Sequence, residues 1–167
     1  MRRLILMRHA KSDWNHPGLS DHDRPLNIRG EKSAKVLGKW LRDTENTPDQ
    51  VLCSSAQRTR QTLAGLQLPE GAQIEHARAL YLAEAPAMLK ALHAASGARV
   101  LMIGHNPGIS ELAHRLIDDP PAHERFEDYP TGATLICDFD VSDWNEIGWH
   151  QGQPINFVIP RELLADQ

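Results

Sequence analysis

Cysteine is scarce in this chain, and so are long apolar runs. The 167 residues include two cysteines, Cys53 and Cys137, each within a short apolar run. A disulfide framework or a zinc knuckle needs more cysteines at closer spacing, so we expect two buried thiols. No apolar run approaches the roughly 20 residues that span a bilayer, which predicts that the chain does not enter a membrane.

Positive charge is not in excess either. The sequence has 22 acidic residues against 18 lysines and arginines, a formal net charge of -4. Nucleic-acid-binding proteins usually carry a basic surplus, so we expect no nucleic-acid partner. Residues 1–7 begin like a signal peptide, but Arg8 and His9 end the apolar run after four residues. That run is too short for a secretory core, so we expect a cytoplasmic protein and a first β-strand here.

Repeats, linkers and low-complexity segments are also absent, and the length suits one compact domain over residues 1–167. Buried-strand patterns occur over 4–7, 49–54, 100–103 and 133–139, with an edge strand predicted over 155–159. Helical patterns occur over 30–42, 57–66, 83–95 and 109–117, with a short turn over 161–164. Residues 11–29 and 118–129 are predicted loops. This alternation predicts an α/β fold with a mostly parallel central sheet between two helix layers.

Polar side chains follow three of the predicted strands directly. Arg8-His9 follows the first strand, residues 54–58 follow the second, and Gly104-His105-Asn106 follows the strand over 100–103. Ligands of open α/β sheets bind at the carboxyl ends of the strands. The sequence therefore predicts that these three segments form one site.

The residue types in these segments suit phosphate chemistry. An imidazole such as that of His9 can attack phosphorus when one ring nitrogen is neutral and the other is held by a hydrogen bond. Arginine offers a planar fork that matches two phosphoryl oxygens. Arg58 lies in a first helical turn after Ser54 and Ser55, two good N-cap types, where a cation opposes the helix dipole. We expect Arg58 to face an anion and Arg60, which points elsewhere, to be solvated.

The segment 104–108 is a turn rich in small residues between a strand and a helix. Such a turn lets backbone N–H groups face an anion, and His105 can add a hydrogen bond to a phosphoryl oxygen. The other histidines show no spacing typical of metal ligands, so we expect no metal site.

Taken together, these motifs resemble those of the histidine phosphatase superfamily, also called the phosphoglycerate mutase-like fold. The resemblance extends from Leu4 to about Asp140 and rests on these segments: Arg8-His9-Ala10, residues 11–15, residues 21–30, Ser54 to Thr62, Gly104-His105-Asn106-Pro107 and residues 130–133. Ala10 replaces the glycine of the family motif, as in the SixA-like branch of phosphohistidine phosphatases.

The resemblance implies that His9 is the nucleophile and becomes a phosphohistidine. It also implies that Arg8, Arg58 and His105 hold the phosphoryl oxygens, with Asn15 and Asn106 in the phosphate pocket. Phosphoryl transfer needs mainly positioning and cations, so these residues suffice without a metal ion or other cofactor.

A phosphate ester also needs a general acid to protonate its leaving group. Two carboxylates are candidates: Asp21, which looks aligned with an aspartate of the SixA-like branch, and Glu84, which follows Leu80-Tyr81-Leu82-Ala83 near the start of a predicted helix. We favour Asp21, and each could equally be a solvated carboxylate.

The chain has no large insertion between its motifs, so we expect a shallow and open site. Such a site suits phosphohistidine on a protein surface, with inorganic phosphate as the product. A small-molecule phosphomonoesterase is the first alternative, and a mutase fits less well because it needs a closed site. An alternative of another class is a non-catalytic phosphate-binding module.

Overall fold

The structure is a computed structural model that describes residues 1–165. This part of the chain contains six strands and five helices. The strands are β1 (Arg2–Arg8), β2 (Gln50–Ser54), β3 (Gln73–Ala77), β4 (Arg99–Gly104), β5 (Thr134–Phe139) and β6 (Gln153–Val158). The helices are α1 (Ile28–Asp43), α2 (Gln57–Leu66), α3 (Ala85–His93), α4 (Gly108–Leu116) and α5 (Pro160–Ala165).

The strands form one mixed sheet in the order β3-β2-β4-β1-β5-β6. The first four are parallel to one another, and β5 is antiparallel to both β1 and β6. Strand β1 lies between β4 and β5, with Arg8 paired to Gly104 and Met7 paired to both Ile103 and Thr134. The residues that follow β1 and β4 therefore emerge side by side.

Alternation along β1 explains why the sheet is covered on both faces. Leu4 and Leu6 point into one hydrophobic cluster together with Leu112 of α4. Ile5 and Met7 point into the other cluster, which contains Leu37 of α1. Each of these side chains is fully buried, which is what a continuous apolar run in a central parallel strand predicts. The expected three layers and mostly parallel sheet are confirmed.

Strand β3 was not predicted from the sequence. It is the edge strand next to β2, and its first four residues are exposed. An exposed edge strand places no constraint on apolar alternation, so the periodicity gave no signal.

Element ends differ from the predictions by at most two residues, and α2 begins and ends at the predicted residues. Helix α1 begins at Ile28, because Asn27 caps it by accepting a hydrogen bond from the Gly30 N–H at 2.8 Å. The long loop before α1 contains a short 3-10 helix, Asp21–Asp23. Helix α3 is shorter than predicted because Glu84 is its N-cap and Ala94 its C-cap.

Two glycines permit close approaches of backbone segments around the site. A Cβ at Gly30 would stand 2.1 Å from the carbonyl oxygen of Lys11, and one at Gly108 would stand 1.8 Å from that of Ala83. Gly30 allows the loop after β1 to pack against α1, and Gly108 allows the loop before α3 to pack against α4. Among the described residues, no helix has the length and apolar character to cross a membrane.

Candidate active site

The three polar segments meet at the carboxyl ends of β1, β2 and β4. They enclose a cavity of about 300 Å³. Its lining comprises Arg8, His9, Lys11, Ser12, Trp14, Arg24, Arg58, Leu82, His105, Asn106 and Thr131. The predicted Arg8, His9, Arg58 and His105 thus line one cavity although up to 97 positions separate them along the chain.

His9 is held with one ring nitrogen engaged. Its Nδ1 lies 2.7 Å from the carbonyl oxygen of Ala10. A carbonyl oxygen only accepts, so Nδ1 carries the proton and Nε2 keeps a lone pair. Burial lowers the pKa of His9 to about 3, more than the hydrogen bond to Ala10 raises it. The ring is therefore neutral at physiological pH, which is the state that a nucleophilic imidazole requires.

The backbone around His9 is fixed from two sides. The Ala10 N–H donates to the Thr62 hydroxyl at 3.0 Å, and the Gly132 N–H donates to the carbonyl of His9 at 2.9 Å. Thr62 is fully buried, and its hydroxyl donates a hydrogen bond to the Arg58 carbonyl at 2.7 Å. The loop after β1 is thereby connected to α2 and to the loop before β5.

His105 lies beside His9, with 5.3 Å between the ring centroids. Its Nε2 is 2.8 Å from the hydroxyl of Ser54, whereas its buried Nδ1 has no hydrogen-bond partner among the described residues. Burial and then the charge of Arg58 lower the pKa of His105 to about 3. Ser54 does not cap α2, as its type suggested, because Ala56 is the N-cap. Ser54 instead orients His105.

Arg8 and Arg58 bring positive charge to the cavity. Arg58 is only 3% exposed, and the Nε atoms of both side chains are buried without a hydrogen-bond partner in residues 1–165. Nη1 of Arg8 donates to the carbonyl of Tyr129 at 3.2 Å. The exposed Arg60, by contrast, donates from Nε to the Ser55 carbonyl at 2.9 Å and does not line the cavity.

Asp21 neutralises part of this charge. Nη2 of Arg58 donates to Oδ2 of Asp21 at 3.0 Å, and Nη1 donates to the Asp21 carbonyl at 2.6 Å. Tyr81 donates its phenol proton to Oδ2, and Arg24 donates to Oδ1 at 3.2 Å. Burial alone would raise the pKa of Asp21, but the hydrogen bonds from Tyr81 and Arg58 outweigh it and lower the pKa to about 2. In this arrangement Asp21 is an ionised carboxylate and holds no proton to donate.

The remaining predicted residues lie in other positions. Glu84 is exposed at the N-cap of α3 and does not line the cavity. Asn15 is exposed, and its backbone N–H donates to Asp13 at 2.8 Å. Asn106 lines the cavity, but its Nδ2 donates to the carbonyls of residues 128 and 129 at 3.1 and 3.0 Å. Its amide protons thus hold the loop before β5.

Six residues of the cavity lining were not among the predicted site residues: Lys11, Ser12, Trp14, Arg24, Leu82 and Thr131. The guanidinium of Arg24 lies 3.5 Å from the centroid of the Trp14 ring and donates to Ser12 at 2.6 Å. Trp14 is 76% exposed at the rim, where Leu82 is 54% exposed. In the sequence, the only indication that this part of the loop lines a site was Trp14, a large aromatic residue in an otherwise polar loop. In the described part of the chain, no group of three or more His, Cys, Asp or Glu side chains could hold a metal ion.

Comparisons with known proteins agree with this geometry. Residues 4–85 match the family model of the histidine phosphatase superfamily (branch 1). An uncharacterized protein of Mycobacterium tuberculosis is 34% identical over 164 residues, which cover 93% of this chain and all of the relative. The phosphohistidine phosphatase SixA of Escherichia coli is 27% identical and covers 96% of this chain and 99% of its own length. The solved structure of the protein histidine phosphatase SixA complexed with tungstate superposes with a TM-score of 0.75 at 25% identity. It covers 96% of this chain and 99% of the other. The expected phosphoglycerate mutase-like fold is confirmed.

Proposed function

Because the chain belongs to the histidine phosphatase superfamily and is a phosphatase, we propose that it removes phosphate from phosphohistidine on a protein, with His9 as the covalent nucleophile. The observation that carries this proposal is the state of His9. It is neutral, it is tied through Nδ1 to the Ala10 carbonyl, and it lines a cavity that two arginines also line.

In the first step Nε2 of His9 attacks phosphorus, and the bond from phosphorus to the leaving imidazole breaks. The substrate imidazole departs neutral if its other nitrogen was protonated, so no acid from the protein is needed. The proton stays on Nδ1 of His9 throughout, and its hydrogen bond to the Ala10 carbonyl stabilises the positive charge that the ring gains. Water then attacks phosphorus, the P–N bond breaks, and His9 returns to its neutral form as inorganic phosphate leaves.

Arg8, Arg58 and His105 are the groups that hold the phosphoryl oxygens in this proposal. Ser54 already accepts a hydrogen bond from the Ala56 N–H at 3.3 Å, so its hydroxyl can donate a hydrogen bond to Nε2 of His105. Nδ1 of His105 then carries a proton without a partner, ready for a phosphoryl oxygen. The related SixA structure was solved as a complex with tungstate, an oxyanion, which supports oxyanion binding by proteins of this fold.

The carboxylates favour phosphohistidine over an ester as the substrate. Asp21 is ionised and bound to Arg58, and Glu84 lies outside the cavity lining. An ester would therefore lack the protonated acid that its alkoxide leaving group requires. The exposed rim residues Trp14 and Leu82 also suit a substrate that is presented on a protein surface.

The test is phosphate release from a phosphohistidine-bearing phosphotransfer domain and from a panel of small phosphate esters, with a chelator present. We expect faster turnover of phosphohistidine and a loss of at least about a thousandfold in His9→Ala. His76→Ala, a change at an exposed histidine of β3, is the matched control and should retain full activity. Acid-labile, base-stable phosphate on the quenched wild-type enzyme would identify the phosphohistidine.

Faster turnover of one ester would still support His9 as the nucleophile, but it would show that the substrate is a small phosphate ester rather than a phosphohistidine protein. An absence of turnover on every substrate would refute the catalytic proposal and leave a phosphate-binding module.

A further inference from the structure

A second cavity adjoins the phosphate cavity. It has a volume of about 210 Å³, and Lys11 and Thr131 line both cavities. Beyond those two residues, Arg29, Ser33, Arg125 and Arg161 contribute its polar lining. None of these four belongs to the site described above, and the chain brings them together from α1, from the loop before β5 and from α5.

The second cavity has an unbalanced charge. Four cations line it, and no carboxylate of the described residues does so. Arg125 is paired with Asp128 at 3.0 Å. The side chains of Lys11, Arg29 and Arg161 make no ion pair or hydrogen bond with residues 1–165, and all three are exposed. At least three positive charges therefore converge there without a counter-charge from residues 1–165.

Two other surface cations have an acidic partner one helical turn away. Lys39 is paired with Asp43 at 2.5 Å, and Arg115 is paired with Glu111 at 3.3 Å, each four positions apart on its helix. Acidic residues outnumber basic ones in the chain as a whole. Like charges brought together destabilise the folded chain unless an anion compensates them.

The polar groups of the second cavity also suit an oxyanion. Ser33 is only 5% exposed, lines the cavity, and has no side-chain hydrogen bond to another described residue. Arg29 and Arg161 offer planar forks for a carboxylate or a phosphate. The volume is too small for a drug-sized ligand, which needs about 300 Å³ or more.

We propose that this second cavity is an anion subsite that holds a carboxylate or phosphate group while the phosphoryl group occupies the cavity of His9. As a statement about substrate choice the proposal rests on the proposed function, whereas anion binding itself does not. The anion subsite would select substrates that carry an acidic group beside the phosphoryl group, such as a phosphohistidine flanked by Asp or Glu.

The test uses phosphonates, which the enzyme does not hydrolyse, so it does not depend on turnover. Methylphosphonate and a series of alkane bisphosphonates with two to six methylene groups are titrated into the protein by calorimetry. We expect one spacer length to bind about tenfold more tightly than methylphosphonate, which corresponds to about 1.4 kcal/mol. A gain that is equal at every length would reflect total charge alone and would overturn the proposal.

Variants locate the second anion. Arg29→Gln and Arg161→Gln should each remove most of the gain at the optimal length and leave methylphosphonate affinity unchanged. Lys90→Gln, at an exposed position of α3, is the matched control and should change neither affinity. Equal losses for methylphosphonate and bisphosphonate in the arginine variants would contradict a separate subsite.

Two further titrations identify the source of the anion. If inorganic phosphate alone fills two sites and Arg161→Gln removes one, the subsite takes free phosphate. If phosphate fills one site, and phosphohistidine peptides with flanking Glu have a lower KM than their Gln counterparts, the subsite takes a group of the substrate. A spacer optimum in a protein without any turnover would retain the subsite and refute only the proposed function.

Discussion

Acidification should destabilise this protein through its two buried neutral histidines. His9 and His105 are 5% and 2% exposed, and burial lowers the pKa of each to about 3 from an ordinary value of 6.5. Between these values the unfolded chain binds protons that the folded chain does not. Stability is therefore complete above the unfolded pKa and falls as the pH drops below 6.5 towards 3.

The magnitude follows from the gap between the pH and the unfolded pKa. At about pH 5 this gap is about 1.5 units, and each unit corresponds to about 1.4 kcal/mol. Each histidine then lowers the free energy of unfolding by about 2 kcal/mol, and the pair lowers it by about 4 kcal/mol. That is a large share of a typical free energy of unfolding of about 5–15 kcal/mol. Most carboxylates remain ionised at that pH, so they contribute little to the change.

The assay is urea unfolding at about pH 7.5 and about pH 5, followed by tryptophan fluorescence, to which the buried Trp144 contributes. It is run without phosphate, because a bound anion would favour protonated histidines. The free energy of unfolding of the wild type should fall by about 4 kcal/mol between the two conditions, and that of His9→Gln or His105→Gln should fall by about half as much. The exposed His76 serves as the control, since His76→Gln should retain nearly all of the loss. A wild-type loss below about 1 kcal/mol, or an unchanged loss in both buried-site variants, would refute the reasoning.

Two other substitutions test the surroundings of the site. Asp21→Asn should lower kcat/KM about tenfold for phosphohistidine and ester alike, because Arg58 loses its positioning carboxylate, and Glu84→Gln should change neither. If the ester rate alone fell by a hundredfold or more, Asp21 would be the general acid. Gly108→Ala should lower the free energy of unfolding by about 1–3 kcal/mol, since its Cβ would stand 1.8 Å from the Ala83 carbonyl oxygen. In Gly148→Ala the new Cβ meets nothing closer than 3.4 Å, so thermal unfolding of that control should match the wild type within about 0.5 kcal/mol.

The central part of the fold was predictable because burial imposes clear patterns on it. The apolar run at Leu4 to Met7 predicted β1, and the burial of Cys53 and Cys137 without a disulfide confirms the expectation from their apolar surroundings. The rule that ligands bind at the carboxyl ends of strands predicted that Arg8, His9 and His105 meet at one site. Strand β3 was missed because its exposed position at the sheet edge leaves no pattern.

Side-chain pairing within the loops was not predictable. Asp21 looked like a candidate acid, and only the structure shows that Arg58 and Tyr81, 37 and 60 positions away, bind its carboxylate. The convergence of Arg29 and Arg161 is equally invisible, since it depends on how α5 packs against α1. Periodicity constrains which face of an element is buried, but it carries no information about partners across loops.

The position of β1 in the sheet also affects how the protein is made. Both neighbours of this strand come late, since its pairing partners lie at residues 99–104 and 134–139. At the usual rate of synthesis of about 5–20 residues per second, the strand that leads to His9 waits on the order of ten seconds for them. During that time its apolar residues, Leu4 to Met7, have no sheet to join. A chain released before β5 is made would therefore leave one edge of the apolar strand β1 unpaired, which makes it prone to aggregation and a substrate for chaperones rather than a partly active enzyme.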